Sequence, residues 1–446
     1  MLTRILIIAF LTGTAQAFSF FCLKFLSATV SPENMSFIAQ ADSSLQLMLT
    51  IIALGLQSAA IRNIAQSENW KQEYRITQSA RGTLSIFLFV FAISAFFQPA
   101  NIIFLLAPLI AFSGDYALYA VGKPIAGAGV AFVRLVVPYS FVLVIAATSP
   151  ESNIMFAFVT GSAVAYILTN LFISRHLQTR LFYKPGFPYL KLYLNSLPLG
   201  LVSLCLYFIG LGIVLIMPFF YPDSTRAVVF VGLKFYIIFK GVLRIIHQAF
   251  IKEMMNDDIC LKVDQLSILF AIIYGSSFFI FPLSVIKFLF GERYLQYTGF
   301  FNIIGIAALM YSFFLSMATK SMLLKMDKQY TLVTAMAATV SLMLCIIFSF
   351  FNTSPLSVGA AIFIGELLWM LGLIKINYQK DRVIKRLVFS GEVILLTLIP
   401  FSARYLFQDR EITYIISFVL LTALILHLKF TKKGLALIFF LKKWRN

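Results

Sequence analysis

Charge is scarce in this chain. Only 12% of its 446 residues are Asp, Glu, Lys or Arg, about half of the roughly 25% usual in a soluble domain. Hydrophobic residues make up 60% and the mean hydropathy is +0.91. So much Phe, Leu and Ile exceeds what one soluble core can hide, and lipid is the solvent these residues require. Cysteine is also rare. Cys22, Cys205, Cys260 and Cys345 lie far apart and form no CxxC, which excludes a disulfide framework and a zinc ribbon. The three histidines, His176, His247 and His427, fall at no ligand spacing, so neither a metal site nor a cofactor is expected. No Gly-rich phosphate loop or Walker pattern occurs, which argues against ATP hydrolysis by this chain. Long polar stretches are missing too. A membrane enzyme acting on the outer face usually holds its catalytic groups on an extramembrane loop, and no outer loop here exceeds roughly a dozen residues.

What the chain does have is a series of apolar runs. A spanning helix needs roughly 20 mostly apolar residues. Such runs fall at 3–26, 37–61, 83–98, 101–120, 125–148, 153–174, 193–219, 226–250, 265–289, 299–319, 331–351, 356–376, 387–406 and 412–428. The expected fold class is an all-α membrane protein of about 14 transmembrane helices. The first run follows Arg4 and contains Ala15-Gln16-Ala17, like a signal peptide, but it continues through FSFFCLKFL and reads as one full span.

Charge tests this layout independently. Net charge is +18, which in a soluble protein would suggest nucleic acid. Here the cations gather after even-numbered spans: Arg62, Lys71, Arg75 and Arg81 first, and later Arg175, Arg180, Lys184 and Lys191. The segments SPENMS, QPAN, SPESN, YPDST and NTSP, after odd-numbered spans, hold none. The positive-inside bias then places both termini in the cytoplasm, and no nucleic acid is needed as a partner.

Charges at membrane depth are costly and mark cavities or partners. The eighth run, VVFVGLKFYIIFKGVLRIIHQAF, carries Lys240, Arg244 and Gln248 on one face, because they lie four residues apart. Lys234 is within about a quarter turn of Arg244. These cations have no carboxylate within their own helix. They read either as the wall of a cavity for an anionic substrate or, for Lys240, as half of an ion pair with Asp115 or Glu366. Arg134 sits near mid-depth of the fifth run, four residues before Pro138, which should kink that helix. Gly122, Gly127 and Gly129 form a small-residue surface where helices can approach. Asp115 and Lys123 bracket the inner mouth, with Asp115 as a cap, an ion-pair member or a coupling site. Lys24 and Asp42 lie toward the outer ends of the first two runs.

Two segments resemble a known family. GLQSAAIRNIA, residues 55–65, is similar to the Gly-plus-Arg ending of the second helix in polysaccharide flippases of the MOP exporter superfamily, the Wzx type. DYALYAVGKPIAGAGVAFVRLVVP, residues 115–138, resembles their fourth-to-fifth helix region. The resemblance implies two six-helix lobes in a V, here 1–192 and 193–376, followed by two extra helices and a basic tail in 377–446. It implies a flippase for undecaprenyl-diphosphate-linked oligosaccharide, moved to the outer leaflet of the inner membrane by alternating access, as in O-antigen and lipopolysaccharide synthesis. Arg134, Lys234, Lys240, Arg244 and Lys24 would line its cationic cavity. Asp42, Asp115 and Glu366 would be candidates for ion coupling, and Arg62 and Lys123 for a cytoplasmic gate. Membrane lipids, a polysaccharide polymerase and a chain-length regulator would be its partners. Three readings compete. A multidrug cation exporter of the same superfamily should favour carboxylates in the cavity. A membrane O-antigen polymerase or glycosyltransferase should show a long outer loop. A structural scaffold should not carry charges at mid-membrane.

Overall fold

The computed structural model describes residues 2–94, 99–148, 154–249, 254, 256–324, 326–377 and 380–406. Its first half comprises α1 (Leu2–Thr29), α2 (Pro32–Ala53), α3 (Leu56–Gln66), α4 (Trp70–Ser94), α5 (Ala107–Ala111), α6 (Asp115–Ala120), α7 (Pro124–Thr148) and α8 (Ile154–Leu177). The second half comprises α9 (Lys191–Phe208), α10 (Gly212–Ile216), α11 (Asp223–Ala249), α12 (Asp257–Ile280), α13 (Pro282–Phe290), α14 (Thr298–Ser312), α15 (Leu315–Leu323), α16 (Asp327–Ser349), α17 (Pro355–Ile376) and α18 (Lys380–Leu406). No strand occurs among the described residues. A helix satisfies its backbone polar groups within its own segment, save those of its first and last turns, which is close to the condition a bilayer imposes. Among the described residues, seven helices are individually long and apolar enough to cross a membrane, or nine if the bent pairs 187–208 and 292–321 each count as one span. Large side chains such as Phe10, Phe87, Phe91, Phe172 and Phe351 point outward and exposed, as on a lipid-facing surface. The expected span 412–428 lies outside the described residues.

Local sequence explains where helices begin and break. Ser31 caps α2 by accepting from the Asn34 amide, with Pro32 in the first turn. Asn256 caps α12 in the same way through the Asp258 amide. Between α2 and α3 the chain turns at Leu54 and Gly55, both at positive φ. A Cβ on Gly55 would lie 2.3 Å from the Ser196 carbonyl oxygen and 2.8 Å from the Gly200 nitrogen, so only glycine fits against α9. Tyr193 donates to the Ile52 carbonyl at 2.7 Å and Ser196 to that of Leu54 at 3.3 Å. These bonds occupy carbonyls left over at the break. A second break bends α15 by 43° from α14.

The two halves meet mainly through α2, which packs against both α9 and α11. Backbone approaches elsewhere are made by other glycines than those anticipated. Gly275 and Gly305 meet backbone to backbone, each leaving no room for a Cβ. Gly161 lies against Pro138. Of the expected small-residue surface, Gly127 packs under the Tyr119 ring and Gly129 faces open space, while Gly122 serves a left-handed turn at φ +78°.

The third span also differs from its expected bounds of 83–98. Its helix, α4, starts at Trp70. Arg81, assigned above to a loop, is 3% exposed in the middle of that helix. Its charge is tolerated because the α5–α6 break offers free carbonyls. Arg81 donates to the Ser113 oxygen at 2.7 Å and to that of Ile110 at 3.3 Å.

Candidate functional site

Among the described residues, four sets of buried or half-buried charges tie helices together, each joining residues of different helices. The first set lies among α4, α6, α7 and α8. Arg134 on α7 is 3.3 Å from Asp115 at the start of α6. Its Nε donates to the Thr169 hydroxyl at 3.0 Å, and its guanidinium lies 4.6 Å from the centre of the Tyr166 ring. Asp115 also accepts from Ser113 at 2.7 Å. Asn170, beside Thr169, donates to the Leu109 carbonyl at 2.7 Å. Arg81 stands across Ser113 from this cluster, over the Tyr116 ring at 5.2 Å. Arg134 pairs with Asp115 while Arg81 is held by backbone carbonyls, so this corner holds two guanidiniums to one carboxylate and keeps one net positive charge. Arg134 and Asp115 keep side-chain exposures of 12% and 27%, so the pair is reachable rather than sealed.

The second set joins α11, α14 and α17. Lys240 is 2.5 Å from Glu366 Oε1, and Tyr236 donates to the same oxygen at 2.9 Å. Lys240 lies 4.4 Å from the ring centres of both Tyr236 and Tyr311. Of the two partners considered for Lys240, Glu366 is the one the fold supplies. The third set crosses between halves: Lys234 on α11 pairs with Asp42 on α2. Tyr207 reinforces that junction by donating to the Ser43 carbonyl at 2.6 Å. Lys234 and Lys240 thus find their carboxylates on other helices.

The fourth set was not anticipated. Asp264 on α12 is fully buried and accepts from the Ser316 amide at 2.8 Å and the Ser316 hydroxyl at 2.6 Å. Arg386 on α18, also fully buried, clamps it at 2.9 and 2.6 Å. Ser316 is in the first turn after the α14–α15 bend, so Asp264 satisfies an amide that the bend leaves free. Nearby, Lys320 and Arg382 share Asp257.

The remaining expected residues are dispersed. Lys24 lies over the Phe288 ring at 4.2 Å. Lys123 donates to the His176 carbonyl at 3.0 Å, at the end of α8. Arg62 and Arg244 belong to α3 and α11, but their side chains lie outside the described residues. No cluster of three or more His, Cys, Asp or Glu capable of holding a metal occurs among the described residues.

No family model and no curated protein matches this chain. Solved structures do. The lipid II flippase MurJ, in an inward closed conformation, is similar with a TM-score of 0.75 at 13% identity, over 96% of this chain and 99% of that one. The fold is MurJ-like. At this identity the likeness fixes the architecture and nothing finer. An outward-facing multidrug resistance MATE transporter of the MOP superfamily is similar at TM-score 0.52 and 13% identity, over 87% of this chain and 95% of that one. The MATE multidrug transporter DinF-BH matches at a TM-score of 0.52 and 14% identity, over 85% of this chain and 94% of that one. These neighbours are flippases and transporters rather than enzymes, and the likeness to them is one of fold.

Proposed function

We propose that this chain is a flippase for an isoprenoid-diphosphate-linked oligosaccharide, carrying it from the inner to the outer leaflet of a bacterial cytoplasmic membrane. The observation that carries this reading is the net positive Arg81–Asp115–Arg134 cluster held inside a MurJ-like fold. An exporter of cations would be served by the opposite excess. A diphosphate suits planar guanidiniums, which bind its oxygens in pairs. Arg134 is already held by one carboxylate, so an incoming anion has to compete with Asp115 rather than fill an empty charge. That exchange gives binding a structural consequence: the helix carrying Asp115 loses its ion pair to α7.

The Lys234–Asp42 pair supports alternating access in the same way, since it fastens one half of the molecule to the other. The two halves would be the six-helix lobes 1–192 and 193–376, with both termini cytoplasmic. An apolar cavity of ≈ 290 Å³ between α12, α14 and α18, lined by Ala271, Gly275, Phe279, Leu309 and Ile394, suits a stretch of isoprenoid chain.

Deletion of the gene in its own host tests the reading. Surface polysaccharide should disappear, and lipid-linked repeat units should accumulate where externally added glycosidase cannot reach them in spheroplasts. Unchanged surface polysaccharide, or repeat units accessible from outside, contradicts it.

A further inference from the structure

Lys240 occupies a cage built for a cation. Its Nζ is 4.4 Å from each of two ring centres, Tyr236 and Tyr311, and 2.5 Å from Glu366 Oε1. Trp369 stacks on Tyr311, with ring centres 5.4 Å apart and planes 13° from parallel, which fixes that wall. The Tyr236 hydroxyl donates to Glu366 and fixes the other. Tyr236, Glu366 and Trp369 are all buried. Two aromatic faces and a carboxylate are the elements that recognise an ammonium ion. The second carboxylate oxygen, Glu366 Oε2, is buried and accepts no hydrogen bond among the described residues. The cage therefore offers more acceptor capacity than Lys240 uses. Its walls come from α11, α14 and α17, while its occupant is a side chain of α11 reaching in.

We propose that Lys240 is a tethered cation plugging an organic-ammonium site, and that this plug is what denies the site to free cations. A tethered group competes as though present at an effective concentration of roughly millimolar or more. Free amines must exceed that to displace it. Cation selectivity in this half of the molecule then rests on one residue: the carboxylate and ring faces of a cation binder are present, and Lys240 fills them. The inference does not depend on the identity of the cargo.

Substitution makes it testable. Lys240→Ala removes three methylenes and the ammonium, the atoms of n-propylammonium. Purified full-length protein in detergent is melted in propylammonium chloride and in sodium chloride at equal ionic strength. Wild type should melt at the same temperature in both. Lys240→Ala should melt lower in sodium chloride and rise with propylammonium in a saturating manner in the millimolar range. Lys240→Met, which fills the cage without charge, and Lys240→Ala/Glu366→Gln should not respond. If Lys240→Ala does not accumulate, propylammonium in the growth medium should restore it. Absence of an amine-specific gain in both purified Lys240→Ala and its cellular accumulation overturns the proposal. So does an equal gain in wild type, Lys240→Met or the double variant.

Discussion

Arg134→Ala is expected to reduce transport to below about a tenth of wild type while the protein still accumulates in the membrane. Removing one partner of a buried charge–phosphate contact costs about 2–5 kcal/mol, and about 1.4 kcal/mol is already tenfold in affinity. The fold should survive because Asp115 is not left alone. It keeps its hydrogen bond from Ser113, and Arg81 remains close by. Arg134→Lys keeps the charge but loses the fork that reaches both Asp115 and Thr169, so it should fall between the two. Membrane abundance and surface polysaccharide, measured in the same cells at native expression, separate loss of transport from loss of protein. Normal polysaccharide in Arg134→Ala would remove this residue from the substrate path.

Arg386→Ala is expected to act on stability instead. Asp264 would remain fully buried, with Ser316 as its remaining hydrogen-bond partner among the described residues. Breaking a buried pair from one side costs about 3–5 kcal/mol, a large part of the roughly 5–15 kcal/mol that holds a folded protein together. The α18 helix would lose the clamp that holds it to α12 and the α14–α15 bend. Adding Asp264→Asn should recover most of the loss. The asparagine is neutral, and its side-chain oxygen can still accept from the Ser316 amide. Thermal unfolding of the two purified variants measures the difference. A single variant as stable as wild type would show that Arg386 is not needed at that junction.

The apolar runs were legible because a bilayer demands them, and those within the described residues fall on helices, of which seven to nine are long and apolar enough to span against the fourteen expected. Two things escaped. The start of the third span was placed too late because Gln78, Ser79, Arg81, Thr83 and Ser85 dilute its hydropathy. Yet Tyr74, Gln78, Arg81 and Ser85 recur at intervals of four, three and four, a stripe on one helical face. That stripe is the buried polar side of α4, and it was the available signal. Of the ion pairs, Lys240–Glu366 was one of two pairings open to Lys240 in the sequence. The others were out of reach because helical-wheel reasoning reports on one helix, whereas Lys234 and Asp42 stand on different helices and Asp264 and Arg386 are 122 residues apart. Lys234 and Lys240 looked unmatched only because their carboxylates stand on α2 and α17. The Asp264 network lacked any sequence cue of its own, since it depends on a helix bend at Phe313 and Phe314 that no proline or glycine marks.

The proposed cargo is an anion, not a cation, and the Arg134 cluster is its proposed crossing point. Reconstitution into liposomes tests this most directly. Vesicles carrying a fluorescent isoprenoid-diphosphate-linked sugar in both leaflets are treated with a membrane-impermeant quencher. Protein-free vesicles should lose only the outer-leaflet signal. Vesicles with the wild-type chain should lose nearly all of it, and those with Arg134→Ala should behave almost as if protein-free. Quenching that stops at the outer leaflet with the wild-type chain, or that goes equally far with Arg134→Ala, would contradict transport of an anion at this cluster.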